Sequence, residues 1–235
     1  IINNLKMPKI IIANFKMNGT KSFITQWFDD FSKEGNISNE IIVALPSPFL
    51  IDFADNDISV AAQNVSSHTT GAFTSQVSAE MLKDCGINYS IIGHSESREF
   101  LKETDEDIFN KYNQLIKYCI KPIICIGEPL KIREDNLLQS FISSQLKQFE
   151  DTENELIIAY EPIWAIGSGL IPTVEDINEV SELIRGLCKN VKILYGGSVN
   201  KENASNLLNN SNIDGVLVGG ASLDPKEFAN IAQSC

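Results

Sequence analysis

Residues 155–160 read Glu155-Leu156-Ile157-Ile158-Ala159-Tyr160, and the chain turns at once through Glu161-Pro162. After its first residue the run is apolar at every position, so a strand formed here has both faces covered, the mark of a parallel sheet. Runs of the same character recur at 9–15, 41–46, 58–63, 88–93, 121–126, 191–195 and 214–218, eight in all. Helical periodicity fills most of the gaps. Ile24, Trp27, Phe28 and Phe31 keep the i, i+3, i+4, i+7 spacing, as do Leu138, Phe141, Ile142 and Gln145 up to the last, polar position. Ile108, Tyr112, Leu115, Ile116 and Cys119 form another such segment, Val180, Leu183, Ile184 and Leu187 a fourth, and Thr104-Asp105-Glu106-Asp107 reads as a helix start. Pro46 to Asp57 leaves room for little helix, and Val199 to Asn210 for about three turns. Eight strand-and-helix units in 235 residues predict an α/β fold, a closed (β/α)8 barrel of eight parallel strands with outer helices. A doubly wound open sheet fits the same alternation.

Composition narrows the function classes. The chain has 31 acidic and 19 basic residues, a formal charge of −12, which opposes general attraction to nucleic acid or an anionic membrane. An anionic ligand must therefore be held by local groups. The five cysteines, at 85, 119, 125, 188 and 235, are odd in number, contain no CxxC pair and fall mostly in apolar stretches, so no disulfides are expected and a reducing, cytoplasmic setting is. No stretch of 18 apolar residues occurs. Residues 1–6 lack the basic start and apolar run of a signal peptide, and Met7-Pro8 is a candidate start. The reading is one domain over 1–235, its first six residues a non-native or disordered leader.

In a parallel barrel the residues just past each strand's carboxyl end converge on one face. Here they are Asn14 and Lys16, His94-Ser95-Glu96, Gly127-Glu128, Glu161-Pro162, Gly196-Gly197-Ser198 and Gly219-Gly220. Lysine, histidine and glutamate together supply a cation, a proton donor and a base. The two histidines, 26 positions apart with no Cys/His cluster, argue against a transition-metal site. Gly167-x-Gly169 lacks the third glycine of a dinucleotide loop, with Pro172 in that place. His68 is read as structural, as are Gly127-Glu128; Cys125 is a packing residue and Trp27 part of a buried helix face.

Six segments carry a resemblance. ANFKMNG at Ala13–Gly19, GAFTSQVSA at Gly71–Ala79, IGHS at Ile92–Ser95, AYEPIWAIGSG at Ala159–Gly169, YGGSV at Tyr195–Val199 and VGGAS at Val218–Ser222 follow one another as in the triosephosphate isomerase family, which the chain resembles over nearly its whole length. The resemblance implies a TIM barrel, interconversion of dihydroxyacetone phosphate and D-glyceraldehyde 3-phosphate through an enediol(ate) in glycolysis and gluconeogenesis, no cofactor, and a homodimer. It implies Glu161 as the base and His94 as the electrophile, neutral as in the family, which is itself the type case for such chemistry. It further implies Lys16 beside the enediolate oxygen and phosphate, Asn14 orienting that end, and Glu96 holding the lysine or sharing in proton movement. Phosphate would rest on the backbone at Gly167, Ser198, Gly219 and Gly220. Pro162, Ile163, Trp164, Ala165, Ile166, Gly167 and Ser168 would form a lid latched by Tyr195 and Ser198, as the family's lid is known to close on substrate. Thr74 would approach the neighbouring subunit's site.

Two departures stand out. The family's Lys-Thr-Ala after the lid is Leu170-Ile171-Pro172 here, and a proline's fixed φ narrows that hinge. Ser75-Gln76 replaces Gly-Glu in the dimer loop while its usual basic partner is Ser97, so the expected subunit contact is neutral and little affected by salt. Two rival readings remain. A Schiff-base aldolase would use Lys16 as nucleophile, whereas a barrel that has lost its chemistry should lack Glu161, His94 or Lys16.

Overall fold

The open-sheet alternative fails at one seam. In the computed structural model, which describes residues 8–166 and 170–235, the first strand pairs with the last, Ile10 opposite Gly215. The strands β1 (Ile10–Asn14), β2 (Glu40–Leu45), β3 (Ser59–Ala62), β4 (Tyr89–Ile92), β5 (Lys121–Ile126), β6 (Leu156–Tyr160), β7 (Val191–Tyr195) and β8 (Gly215–Val218) run parallel, in sequence order, round a closed barrel. Each lies within one residue of its predicted run at either end.

Helices α1 (Lys21–Phe31), α2 (Leu50–Phe53), α3 (Ala79–Asp84), α4 (Ser95–Phe100), α5 (Asp105–Lys117), α6 (Leu130–Glu134), α7 (Leu138–Leu146), α8 (Val174–Leu187), α9 (Ala204–Asn210) and α10 (Pro225–Ala232) cover the outside. The two tight connections hold what their length allows: a four-residue α2 after β2, and in α9 seven residues, about two turns rather than three. Ile24, Trp27, Phe28 and Phe31 are buried, with Trp27 stacked 5.0 Å from Phe31 and its indole N–H donating to Ser222 O at 2.9 Å. Thr104 starts α5 with a capping box closed by Asp107. Cys119 departs from its predicted place: α5 stops at Lys117, and Cys119 sits exposed in a left-handed turn at φ 55°. All five cysteines are free thiols.

Alternate strand residues point in opposite directions. Ile10 and Ile12, Ala61, Ile123 and Cys125, Ile157 and Ala159, Leu194 and Leu217 fill the barrel interior, while Ile11, Ala13, Ile124, Ile158 and Val218 pack against the helices. Continued by two residues, the inward parity passes through Asn14, Gln63, Gly127, Glu161, Gly196 and Gly219. The site is therefore set by the same alternation that builds the core.

Candidate active site

Glu161 is 2% exposed, and both of its carboxylate oxygens are engaged. Oε1 lies 3.0 Å from His94 Nε2, and Oε2 accepts the Ser95 amide at 2.9 Å. Gly196 makes room for it, since a Cβ there would fall 2.9 Å from Glu161 Cγ. Gly127 does the same for the backbone, where a Cβ would collide with Glu161 O.

His94 reaches the site off parity, because Gly93 adopts φ +68° and turns the chain at the end of β4. His94 then caps α4: its Nδ1 accepts the Glu96 amide at 3.2 Å, which places the ring proton on Nε2, facing Glu161. Burial works against the imidazolium and is the largest single influence, but the Glu161 carboxylate, through its charge and its hydrogen bond, acts with Glu96 to leave the His94 pKa raised; Lys16 acts in the opposite sense. Removing the carboxylate reverses the balance. Glu161→Gln is therefore expected to lower the His94 pKa. With only two histidines in the chain, an NMR titration of the imidazoles resolves the shift, and an unchanged His94 midpoint would refute the coupling.

Lys16 follows β1 in a left-handed conformation, φ 52°, which costs a non-glycine residue of order 1 kcal/mol and persists only where neighbours hold it. Asn14 Oδ1 accepts the Lys16 amide at 3.0 Å, and Gln63 Nε2 donates to Lys16 O at 2.9 Å and to Ala44 O at 3.0 Å. The ammonium meets Glu96 Oε1 at 2.6 Å. Gln63 was not among the residues expected from the sequence, although it stands two places beyond the inward Ala61.

Asn14, Lys16, His94 and Glu161 line one cavity of about 300 Å³ with Ser198, Gly219 and Gly220. Among the described residues, a Cβ at Gly220 would meet no atom within 4 Å. Gly167 and Ser168, expected in the phosphate site and the lid, lie outside the described residues, and so do residues 1–7. Of the lid, Pro162 leads a single turn over Ile163–Ala165 that runs on to Ile166, and Ser198 Oγ donates to Ala165 O at 3.0 Å. The Tyr195 hydroxyl is buried and has no hydrogen-bond partner among the described residues. Trp164 Nε1 donates to Glu128 Oε1 at 2.9 Å, so Glu128, read as merely structural, anchors the start of the segment expected to form the lid. Leu170 and Ile171 are half exposed and Pro172 is buried just before α8. Thr74 is exposed in the loop after β3, and Ser75 there has φ 76°. Among the described residues no group of three or more His, Cys, Asp or Glu is placed to hold a metal ion, and no helix is long and apolar enough to cross a membrane.

Residues 9–235 match the family model described as triosephosphate isomerase. The chain is 39% identical over 243 positions to a triosephosphate isomerase of Francisella philomiragia, covering 96% of each chain. It is 44% identical over 239 positions to one of Mesomycoplasma hyopneumoniae, covering 96% of this chain and 98% of that one.

Proposed function

The chain belongs to the triosephosphate isomerase family and is an isomerase of triose phosphates, and from that premise we propose the following division of labour among its residues. Glu161 removes a proton from the carbon next to the substrate carbonyl and returns it to the neighbouring carbon. His94 donates from Nε2 to the carbonyl oxygen on which charge develops, and Lys16 stabilises the same charge and the phosphate. The observation that carries this reading is the Glu161–His94 contact of 3.0 Å on a cavity that Lys16 also lines. When Glu161 turns from His94 toward substrate, the nearer of the two carboxylates that raise the imidazole's pKa leaves, which favours a neutral ring as hydrogen-bond donor. The short Lys16–Glu96 pair favours the holding role for Glu96 over proton transfer.

Phosphate is assigned to the end of the cavity at Ser198, Gly219 and Gly220, with Gly167 of the lid as a further contact. The Tyr195 hydroxyl, without a hydrogen-bond partner among the described residues, supports its role as a latch, since a buried hydroxyl gains from any acceptor or amide that the closing lid brings. The buried Pro172 restricts the far hinge. The setting is cytoplasmic, supported by five free thiols, within triose phosphate metabolism.

The chain acts as a single domain and as a homodimer. Met17, Ile51, Phe73, Met81, Phe100 and Leu101, exposed apolar side chains that follow the first four strands, supply apolar surface for such a contact. Gln76, where the family has an acid, is instead hydrogen-bonded to Ser66 of its own chain. Light scattering should give twice the chain mass of 26.0 kDa, unchanged by half-molar salt; a monomer at working concentration removes the proposal.

The reaction is tested with glyceraldehyde 3-phosphate in deuterated water. Rapid formation of dihydroxyacetone phosphate carrying deuterium from solvent supports proton transfer through an enediolate. No conversion, or a lysine adduct trapped by borohydride, would overturn it in favour of the aldolase reading.

A further inference from the structure

Arg133 lies in α6, away from the reacting groups, and its side chain is 16% exposed. Each face of its guanidinium fork is occupied. Nε donates to Glu128 Oε1 at 2.6 Å, one terminal nitrogen donates to the Tyr160 hydroxyl at 3.1 Å, and the other to Asp176 Oδ1 at 3.2 Å, with Glu179 Oε2 at 3.6 Å. The guanidinium carbon also stands 5.5 Å from the Trp164 ring centroid.

These partners come from two places that the chain separates by the lid. Tyr160 directly precedes Glu161, and Trp164, which shares Glu128 Oε1 with Arg133 and Tyr160, opens the lid. Asp176 lies beyond it, in the first turn of α8. There its Oδ2 accepts both the amide and the hydroxyl of Thr173, closing the capping box, and leaves Oδ1 for Arg133. A fork of five fixed donors suits such bridging, whereas a lysine ammonium is a point charge.

We propose that Arg133 is a positioning residue that clamps both ends of the lid to one rim of the barrel, so that the two hinges move from a common anchor. The proposal rests on the isomerase reading above and deepens it. Arg133 touches no substrate. It holds Trp164 through Glu128 and fixes the helix start from which the far hinge springs. Its loss should misplace the closed lid while leaving Glu161 and His94 intact.

A misplaced lid has a chemical signature. In an unshielded enediolate the oxygen's electron pair forms a carbonyl and the carbon–carbon double bond shifts. The bond from carbon to the phosphate oxygen breaks, its electrons leave on inorganic phosphate, and the remaining enol tautomerises to an α-keto aldehyde. Phosphate released per isomerisation is a ratio, so a smaller folded fraction does not change it.

The experiment compares the parent with Arg133→Lys, Arg133→Met, Asp176→Asn and the Arg133→Met/Asp176→Asn double variant. Readouts are kcat, KM, phosphate release and thermal melting. Arg133→Met should lower kcat about 100-fold, the effect expected of a displacement of order 1 Å at the reacting centre, raise KM less, and raise the phosphate ratio about tenfold. Arg133→Lys should recover part of the ratio. Asp176→Asn should raise the ratio alone yet add nothing to Arg133→Met, because the two act through one contact. An unchanged ratio in both Arg133 variants, with activity falling only as the folded fraction falls, overturns the clamp. So does an Asp176→Asn effect that adds fully to that of Arg133→Met. Inactivity of the well-folded parent instead strikes at the isomerase reading.

Discussion

Glu161→Gln is expected to lower kcat by about 10⁴-fold, the upper end of what a positioned general base supplies. The amide is nearly the same shape, so the site keeps its packing, but it cannot take a proton. Glu161→Asp keeps the carboxylate and draws it back by one methylene, and a loss of about 100-fold is expected from that misplacement. In the resting site Glu161 accepts from both His94 and Ser95, so the glutamine variant also meets one donor with its own NH₂ group and should lose of order 1 kcal/mol of stability. A coupled assay with glyceraldehyde 3-phosphate beside a thermal melt separates the two effects. A folded glutamine variant within tenfold of the parent would remove Glu161 from its role.

Lys16→Met should lower kcat/KM by about 10³-fold. The chain carries a formal charge of −12, Glu96 pairs with the ammonium and Glu161 lines the same cavity as Lys16, so without Lys16 the described lining offers an anionic substrate no lysine or arginine. The Lys16 side chain is 29% exposed and Glu96 43%, so the fold should tolerate the change by solvating the freed carboxylate. Inorganic phosphate should inhibit the variant far more weakly than the parent. Lys16→Arg should recover little, because Asn14 and Gln63 fix the backbone from which the side chain springs, and a planar guanidinium does not replace the compact ammonium that meets Glu96 there. Phosphate inhibition as strong in Lys16→Met as in the parent would show that the backbone alone holds the anion.

The barrel is legible because one physical pattern, the buried parallel strand, is repeated eight times with little noise. Its strand ends then point to Asn14, Lys16, Glu161 and the glycines, and Gly93-His94 marks a place where a left-handed turn redirects the chain. Gln63 was equally available from parity, yet a polar residue after Ala61-Ala62 looks like the ordinary end of a strand. Arg133 could not be found this way. Its partners are Glu128, Tyr160 and Asp176, and no local spacing reports that an α6 side chain spans from one to the others. Cys119 misled because it continues an apolar period past the point where a left-handed turn ends the helix.

Until a ligand arrives, Glu161 and His94 occupy one another. An incoming molecule has to part them, and the free energy for that must come from whatever else it can grip. A bare glyceraldehyde, with no anionic tail for the far end of the cavity, brings too little. On the proposed roles, that mutual contact is expected to disfavour small carbonyl compounds and to favour phosphorylated ones.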